Sequence, residues 1–262
     1  MPHGNGTREN GTGVKYFLML YLYPLFQFGT VSLTHYNLWV DEMRSEDFDL
    51  PNQKVGLGFG VGMGYRATFL DVGIEPAILY TSVNGGDSKK TSGATIYFHR
   101  KHSLMNFIFG LPIGFSYPLT ETFRMYAGVK MLLGFSNLSV YDSSHINVLG
   151  VHTWGIREAS LSASSVGMGM AFGGDVSISD KLALAVRVGY DVLSFSGYEG
   201  EYVDRDSGGN EDRGVAYWVF NTKNKSLSVK DRPTDPDKNE INAKEDLGGM
   251  RVSVGLKFSL GR

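Results

Sequence analysis

The stretch VGLGFGVGMGY, residues 55–65, decides the fold. Val55, Leu57, Phe59, Val61, Met63 and Tyr65 share one parity, and Gly56, Gly58, Gly60, Gly62 and Gly64 share the other. Successive side chains of a strand point to opposite faces, so one face is wholly apolar and the other is bare. A helix would scatter these glycines around its axis, at a cost of about 1 kcal/mol each.

The period recurs along the chain. Segments 70–81, 105–117, 126–136, 166–173, 182–191 and 249–260 all alternate large apolar residues with small or polar ones. Short links at 66–69, 118–121 and 179–181 alternate with long polar links at 41–52, 83–93, 142–159 and 196–246. That layout is the one expected of periplasmic turns and surface loops, and an even strand number completes it. The pattern predicts an all-β fold, a transmembrane antiparallel up-and-down barrel of eight strands. The strand missing from the count is expected near 31–40, TVSLTHYNLW, whose alternation is poor.

The second face settles what the barrel sits in. A soluble barrel would show water a face rich in Lys, Glu and Thr. Here that face is mostly Gly, Ala and Ser, which suits an eight-stranded lumen with room only for side chains. The large apolar parity then meets lipid. The charges on the small face point inward: Arg66, Asp71, Glu75, Arg124, Lys130, Asp175, Arg187, Asp191, Arg251 and Lys257. Both signs are present, and two readings stand, a self-satisfied ion network that plugs the barrel or a polar pore lining.

Composition agrees. Gly is abundant at 34 residues, alongside 16 Phe, 14 Tyr and 3 Trp. The net charge of -2 offers no footprint for nucleic acid. The absence of Cys excludes disulfides, thiolate metal sites and a lipoprotein anchor. Lys15 and the apolar run Tyr16–Phe28 read as an export signal, too short to span a bilayer as a helix. Residues 1–30 are therefore expected to be a signal peptide, cleaved near Gly29–Ser32, and residues 31–262 the barrel. The polar, Gly-rich residues 1–13 are foreign to such a signal, which places the expected true start at Val14.

Motifs for chemistry are weak. Gly62-x-Gly64-x-x-Ala67 lacks the helix that a dinucleotide turn requires. His99 with His102, and His145 with His152, lack a third convergent ligand, and Asp142–His145 supplies only residue types common in polar loops. No cofactor, metal or enzymatic activity is expected.

The strand texture and the terminal GMRVSVGLKFSL resemble the small eight-stranded outer-membrane proteins, the OmpW-like and OmpA/OmpX-like barrels, over about residues 31–260. The usual terminal aromatic is replaced here by Phe258 followed by Ser-Leu-Gly-Arg. The resemblance implies a monomer in outer-membrane lipid, delivered by the barrel assembly machinery. Its OmpW-like branch implies passive uptake of small hydrophobic solutes through an apolar mouth and a lateral opening. Pro76 and Pro112, which weaken strand pairing, would mark that opening. Tyr217, Trp218 and Phe220, in the apolar strip 215–220, would make mouth or loop contacts. The alternative is a surface adhesin whose long loops bind host ligands.

Overall fold

The structure is a computed structural model, and it describes residues 18–30, 34–45 and 55–259. Strands β1 (Leu18–Thr30), β2 (Val55–Ala67), β3 (Leu70–Thr91), β4 (Ala94–Pro118), β5 (Phe123–Val148), β6 (Val151–Ser179) and β7 (Leu182–Val192) follow one another as antiparallel neighbours. The short strands β8 (Ser194–Ser196), β9 (Glu199–Asp206), β10 (Glu211–Asn221), β11 (Leu227–Lys230), β12 (Glu240–Asn242) and β13 (Lys244–Asp246) precede β14 (Gly249–Ser259). Because β14 pairs with both β7 and β1, the eight strands β1–β7 and β14 close into a ring.

Two expectations about the first strand are corrected. The closing strand is Leu18–Thr30, the apolar run that resembles an export signal. A tilted membrane strand needs only about 9–11 residues, so such a run satisfies either role. Residues 1–17, which include the expected start at Val14, lie outside the described residues. The segment expected to be a strand at 31–40 is instead largely a helix, α1, Thr34–Ser45. Its apolar residues Tyr36, Trp39, Val40 and Met43 recur at helical spacing, which is why strand alternation fails there. Tyr36, Trp39 and Val40 face the interior, while Leu38 and Asp41 face outward.

The expected loops at 83–93 and 142–159 are also corrected. They are continuations of β3–β6 above the membrane, closed by tight turns. Polar composition marks them as solvated, and a strand standing clear of lipid is as polar as a loop. Above the membrane β6 changes partner: Met168–Ser179 pairs with β7, whereas Gly155–Ser162 pairs with β9. Strands β9–β12 thus extend the wall where β7 and β14 have ended.

Orientation follows the parity rule. Phe59, Met63, Ile74, Met105, Phe109, Ile113, Phe115, Val129, Met168, Phe172, Val254 and Phe258 are exposed on the outer face. Leaving so many large apolar side chains outward is stable only against hydrocarbon. The opposite parity packs glycine against the lumen's aromatic rings. A Cβ on Gly64 would stand 2.5 Å from Cζ of Tyr21 and 2.7 Å from the Val72 carbonyl oxygen. One on Gly114 would stand 2.7 Å from the Tyr126 ring. Gly64→Ala should therefore lower stability by about 1–3 kcal/mol, as overpacking does. Gly155→Ala, whose nearest contact is 3.6 Å away, should cost little. Urea midpoints in detergent micelles check both.

Candidate functional site

The lumen is filled by ion pairs. Nη2 of Arg66, on β2, is 2.6 Å from Oδ2 of Asp71 and 2.8 Å from Oδ2 of Asp175. Nζ of Lys257, on β14, is 3.1 Å from Asp175 and 3.6 Å from Asp71. Arg187 reaches Glu75 at 3.5 Å and Asp175 at 3.9 Å. A second cluster joins Lys130 and Arg251 to Asp191, each at 3.0 Å. Of the ten expected lumen residues, Arg124 alone makes no ion pair among the described residues.

Two lumen tyrosines escape sequence reasoning. The Tyr21 hydroxyl donates to Asp71, and its ring lies 3.6 Å from Nζ of Lys257. The Tyr126 ring carries the Arg187 guanidinium at 4.0 Å. Tyr21 is hidden because an apolar run does not show which of its aromatics faces inward. For Tyr126 a signal exists: it shares parity with Gly128 and Lys130. The space left between Pro112, Tyr126, Lys130, Arg187 and Arg251 is about 20 Å³, room for roughly one water.

Above this network the mouth is apolar. Tyr36, Trp39 and Val40 of α1 pack with Leu79, Val83, Leu104, Leu138, Phe195, Trp218 and Phe220. The Arg100 guanidinium lies 4.1 Å from the Trp39 ring and binds Asp142 with both arms. His35 stacks on Phe220 at 4.3 Å and accepts a hydrogen bond from the Lys244 amide at 2.7 Å. Trp218 and Phe220, two of the residues expected to make mouth or loop contacts, belong to this core. Both are buried, because β10 turns that face onto the helix, and Tyr217 is half-buried on the opposite parity.

Within the mouth core, an imidazole and a carboxyl, His102 and Glu245, are fully buried side by side. Nε2 of His102 is 3.9 Å from Oε1 of Glu245, which accepts a 3.1 Å hydrogen bond from the Trp218 indole. Burial pushes the Glu245 carboxyl up to about 8, against the opposing pull of that indole donor. The folded mouth therefore holds a proton that the opened mouth releases between pH 4.5 and 8. On the account of Glu245 mouth stability falls as pH rises through that window, while the His102 imidazole, which burial lowers to about 3, opposes the fall up to about pH 6.5. Glu245→Gln should remove the fall. Its advantage over the native chain should be absent near pH 4.5 and on the order of a few kcal/mol above pH 8, at about 1.4 kcal/mol per unit. Hydrogen exchange of residues 193–248 at several pH values measures it.

The ladder is interrupted for two positions at each proline of the expected lateral opening, at Val61–Gly62 opposite Glu75–Pro76 and at Gly73–Ile74 opposite Leu111–Pro112, and it resumes in the same register. The β2–β3 register is the same on both sides of Pro76, from Gly60 opposite Ala77 to Met63 opposite Ile74. The β3–β4 register likewise continues past Pro112, from Val72 opposite Ile113 to Glu75 opposite Gly110. Each proline removes a ladder hydrogen bond without shifting its strand. On the outer face above the lipid, a groove of about 690 Å³ is lined by Tyr97, His99, Tyr141, His145 and Trp154 among others.

A family model described as outer membrane protein beta-barrel domain matches residues 27–262. The chain belongs to this family. Outer membrane barrels of this kind cross the bilayer with strands, and among the described residues no helix is long and apolar enough to cross. The protein accordingly resides in the bacterial outer membrane. Neisserial surface protein A is similar at 10% identity, with 92% of this chain and 97% of that chain covered and a TM-score of 0.38. A major outer membrane protein from Thermus thermophilus is similar at 10% identity, covering 92% and 99%, with a TM-score of 0.40. The outer membrane protease OmpT from Escherichia coli is 7% identical, covering 93% and 95%, with a TM-score of 0.24. No curated protein matches the sequence.

Proposed function

We propose that this outer-membrane barrel is a surface-interaction protein, a closed wall that presents a rigid extracellular sheet to a partner such as a host or matrix ligand. The observation that carries the reading is the double closure of the axis, by ion pairs at membrane level and by the α1 core above them. Opening the first would strand buried charges, which costs several kcal/mol per ion. The extensions of β3–β6 are strands rather than loose loops, so a partner meets a surface already ordered.

The second reading is an OmpW-like conduit for small hydrophobic solutes. The apolar mouth and the interrupted pairing at Pro76 and Pro112 favour it, and the ion-paired lumen below opposes it. Planar-bilayer recording and liposome uptake on refolded protein separate the two. No stepwise conductance and no uptake of a hydrophobic solute are expected, together with retention of matrix proteins by the immobilised barrel. Conductance, or uptake that rises with the amount of barrel, would overturn the surface reading. Delivery by the barrel assembly machinery belongs to the same proposal.

A further inference from the structure

The β5–β6 hairpin projects above the membrane and carries two imidazoles on its outer face. Nε2 of His145 and Nδ1 of His152 are 3.2 Å apart, and the rings are tilted by 30° with centroids 5.3 Å apart. Without a metal, one ring's N–H donates to the other's lone pair. Two nitrogens bound to one tetrahedral Zn²⁺ at about 2.0–2.1 Å would stand about 3.3 Å apart. The pair therefore already has the spacing of two ligands on one edge of a zinc tetrahedron.

The turn that carries the pair is held by hydrogen bonds. The hairpin turns through Leu149 and Gly150, both in the left-handed region with φ of 50° and 87°. The Leu149 amide donates to the Gly93 carbonyl at 3.2 Å, bracing this turn against the β3–β4 turn. The Gly150 amide donates to the Asn147 side chain at 3.2 Å. Tyr97 stacks on His145 with ring centroids 5.7 Å apart. A site whose ligands are held before the metal arrives forfeits little ordering entropy on binding. The neighbouring His99 is engaged elsewhere, 2.7 Å from the Asn84 side chain. No third His, Asp or Glu completes the set among the described residues.

We propose that His145 and His152 form a two-histidine site for a divalent transition metal, of which Zn²⁺ fits the spacing. The metal takes one lone pair from each ring and leaves its other positions to water; the ring that donated carries its proton on its other nitrogen instead, so both imidazoles stay neutral.

The test is calorimetric titration of the untagged, refolded barrel with ZnCl₂ in a non-chelating buffer. One Zn²⁺ per barrel is expected, and His145→Ala and His152→Ala should each abolish it. His152→Asn keeps a polar partner for His145 in place of Nδ1 but no imidazole, so it should retain the hairpin and lose the metal. His99→Ala should bind as the native chain does. Heat-modifiable gel mobility verifies that each variant is closed. Absence of binding by the native barrel, or stoichiometry unchanged in both His145→Ala and His152→Asn, would overturn the site. So would equal loss in His99→Ala.

Discussion

Asp175→Ala should lower the unfolding free energy of the barrel by about 3–5 kcal/mol, the range for removing one partner of a buried ion pair. Asp175 lies among Arg66, Lys257 and Arg187, and its removal leaves three cations facing one another around Asp71 and Glu75. The loss exceeds that of an exposed pair, whose attraction solvent and salt screen almost entirely. Glu211→Ala at the extracellular rim, where Arg205 and Arg213 are partly solvated, supplies that comparison. Equilibrium urea unfolding in micelles, followed by tryptophan fluorescence and by gel mobility, gives both values. Asp175→Ala combined with Lys257→Met should recover part of the loss, because one stranded charge leaves with its partner. Equal effects of Asp175→Ala and Glu211→Ala would refute the account of the lumen as a charge-satisfied plug.

Trp218→Ala should cost a similar amount, about 3–5 kcal/mol, but in a different place. Trp218 is fully buried, and its indole supplies the one hydrogen bond that the Glu245 carboxyl makes among the described residues. Its loss hollows the mouth beneath α1 and leaves a buried carboxyl without a donor. The lumen network is not touched. The expected result is rapid protease cleavage within 193–248 while the membrane barrel keeps its heat-modifiable mobility. Protease resistance equal to that of the native chain would show that the mouth core does not depend on this side chain. Phe220→Ala, also in the core, should act in the same direction.

The legibility of the fold has a physical boundary. Where a strand has lipid on one side and a packed lumen on the other, sequence period and face composition both report the environment, as at Val55–Tyr65 and Met105–Tyr117. Nine of the ten expected lumen charges are ion-paired in the structure for this reason. Above the bilayer the two faces of a strand differ less, so 83–93 and 142–159 read as loops. The helix at Thr34–Ser45 carries its message in a 3.6-residue period, which a search for alternation cannot register. Leu18–Thr30 reads as a signal because an apolar run has one composition and two uses. The mouth is legible only as an apolar strip at 215–220. That Trp218 meets Glu245, or α1 meets Phe98 and His102, depends on contacts between segments far apart in the chain.

The ring closes where the first strand meets the last, and the lumen charges are distributed across that seam. Tyr21 lies on β1 and Lys257 on β14, while their partners Asp71 and Asp175 lie on β3 and β6. An open sheet halted before β1 and β14 come together can keep Tyr21 with Asp71 and Lys257 with Asp175, each two strands apart on one side of the seam, but lacks the Lys257–Asp71 and Arg66–Asp175 pairs that closure brings together. A closed but misregistered seam would set Lys257 beside the wrong neighbours. Closure of the cylinder is thus the step that completes the neutralisation of the lumen from within.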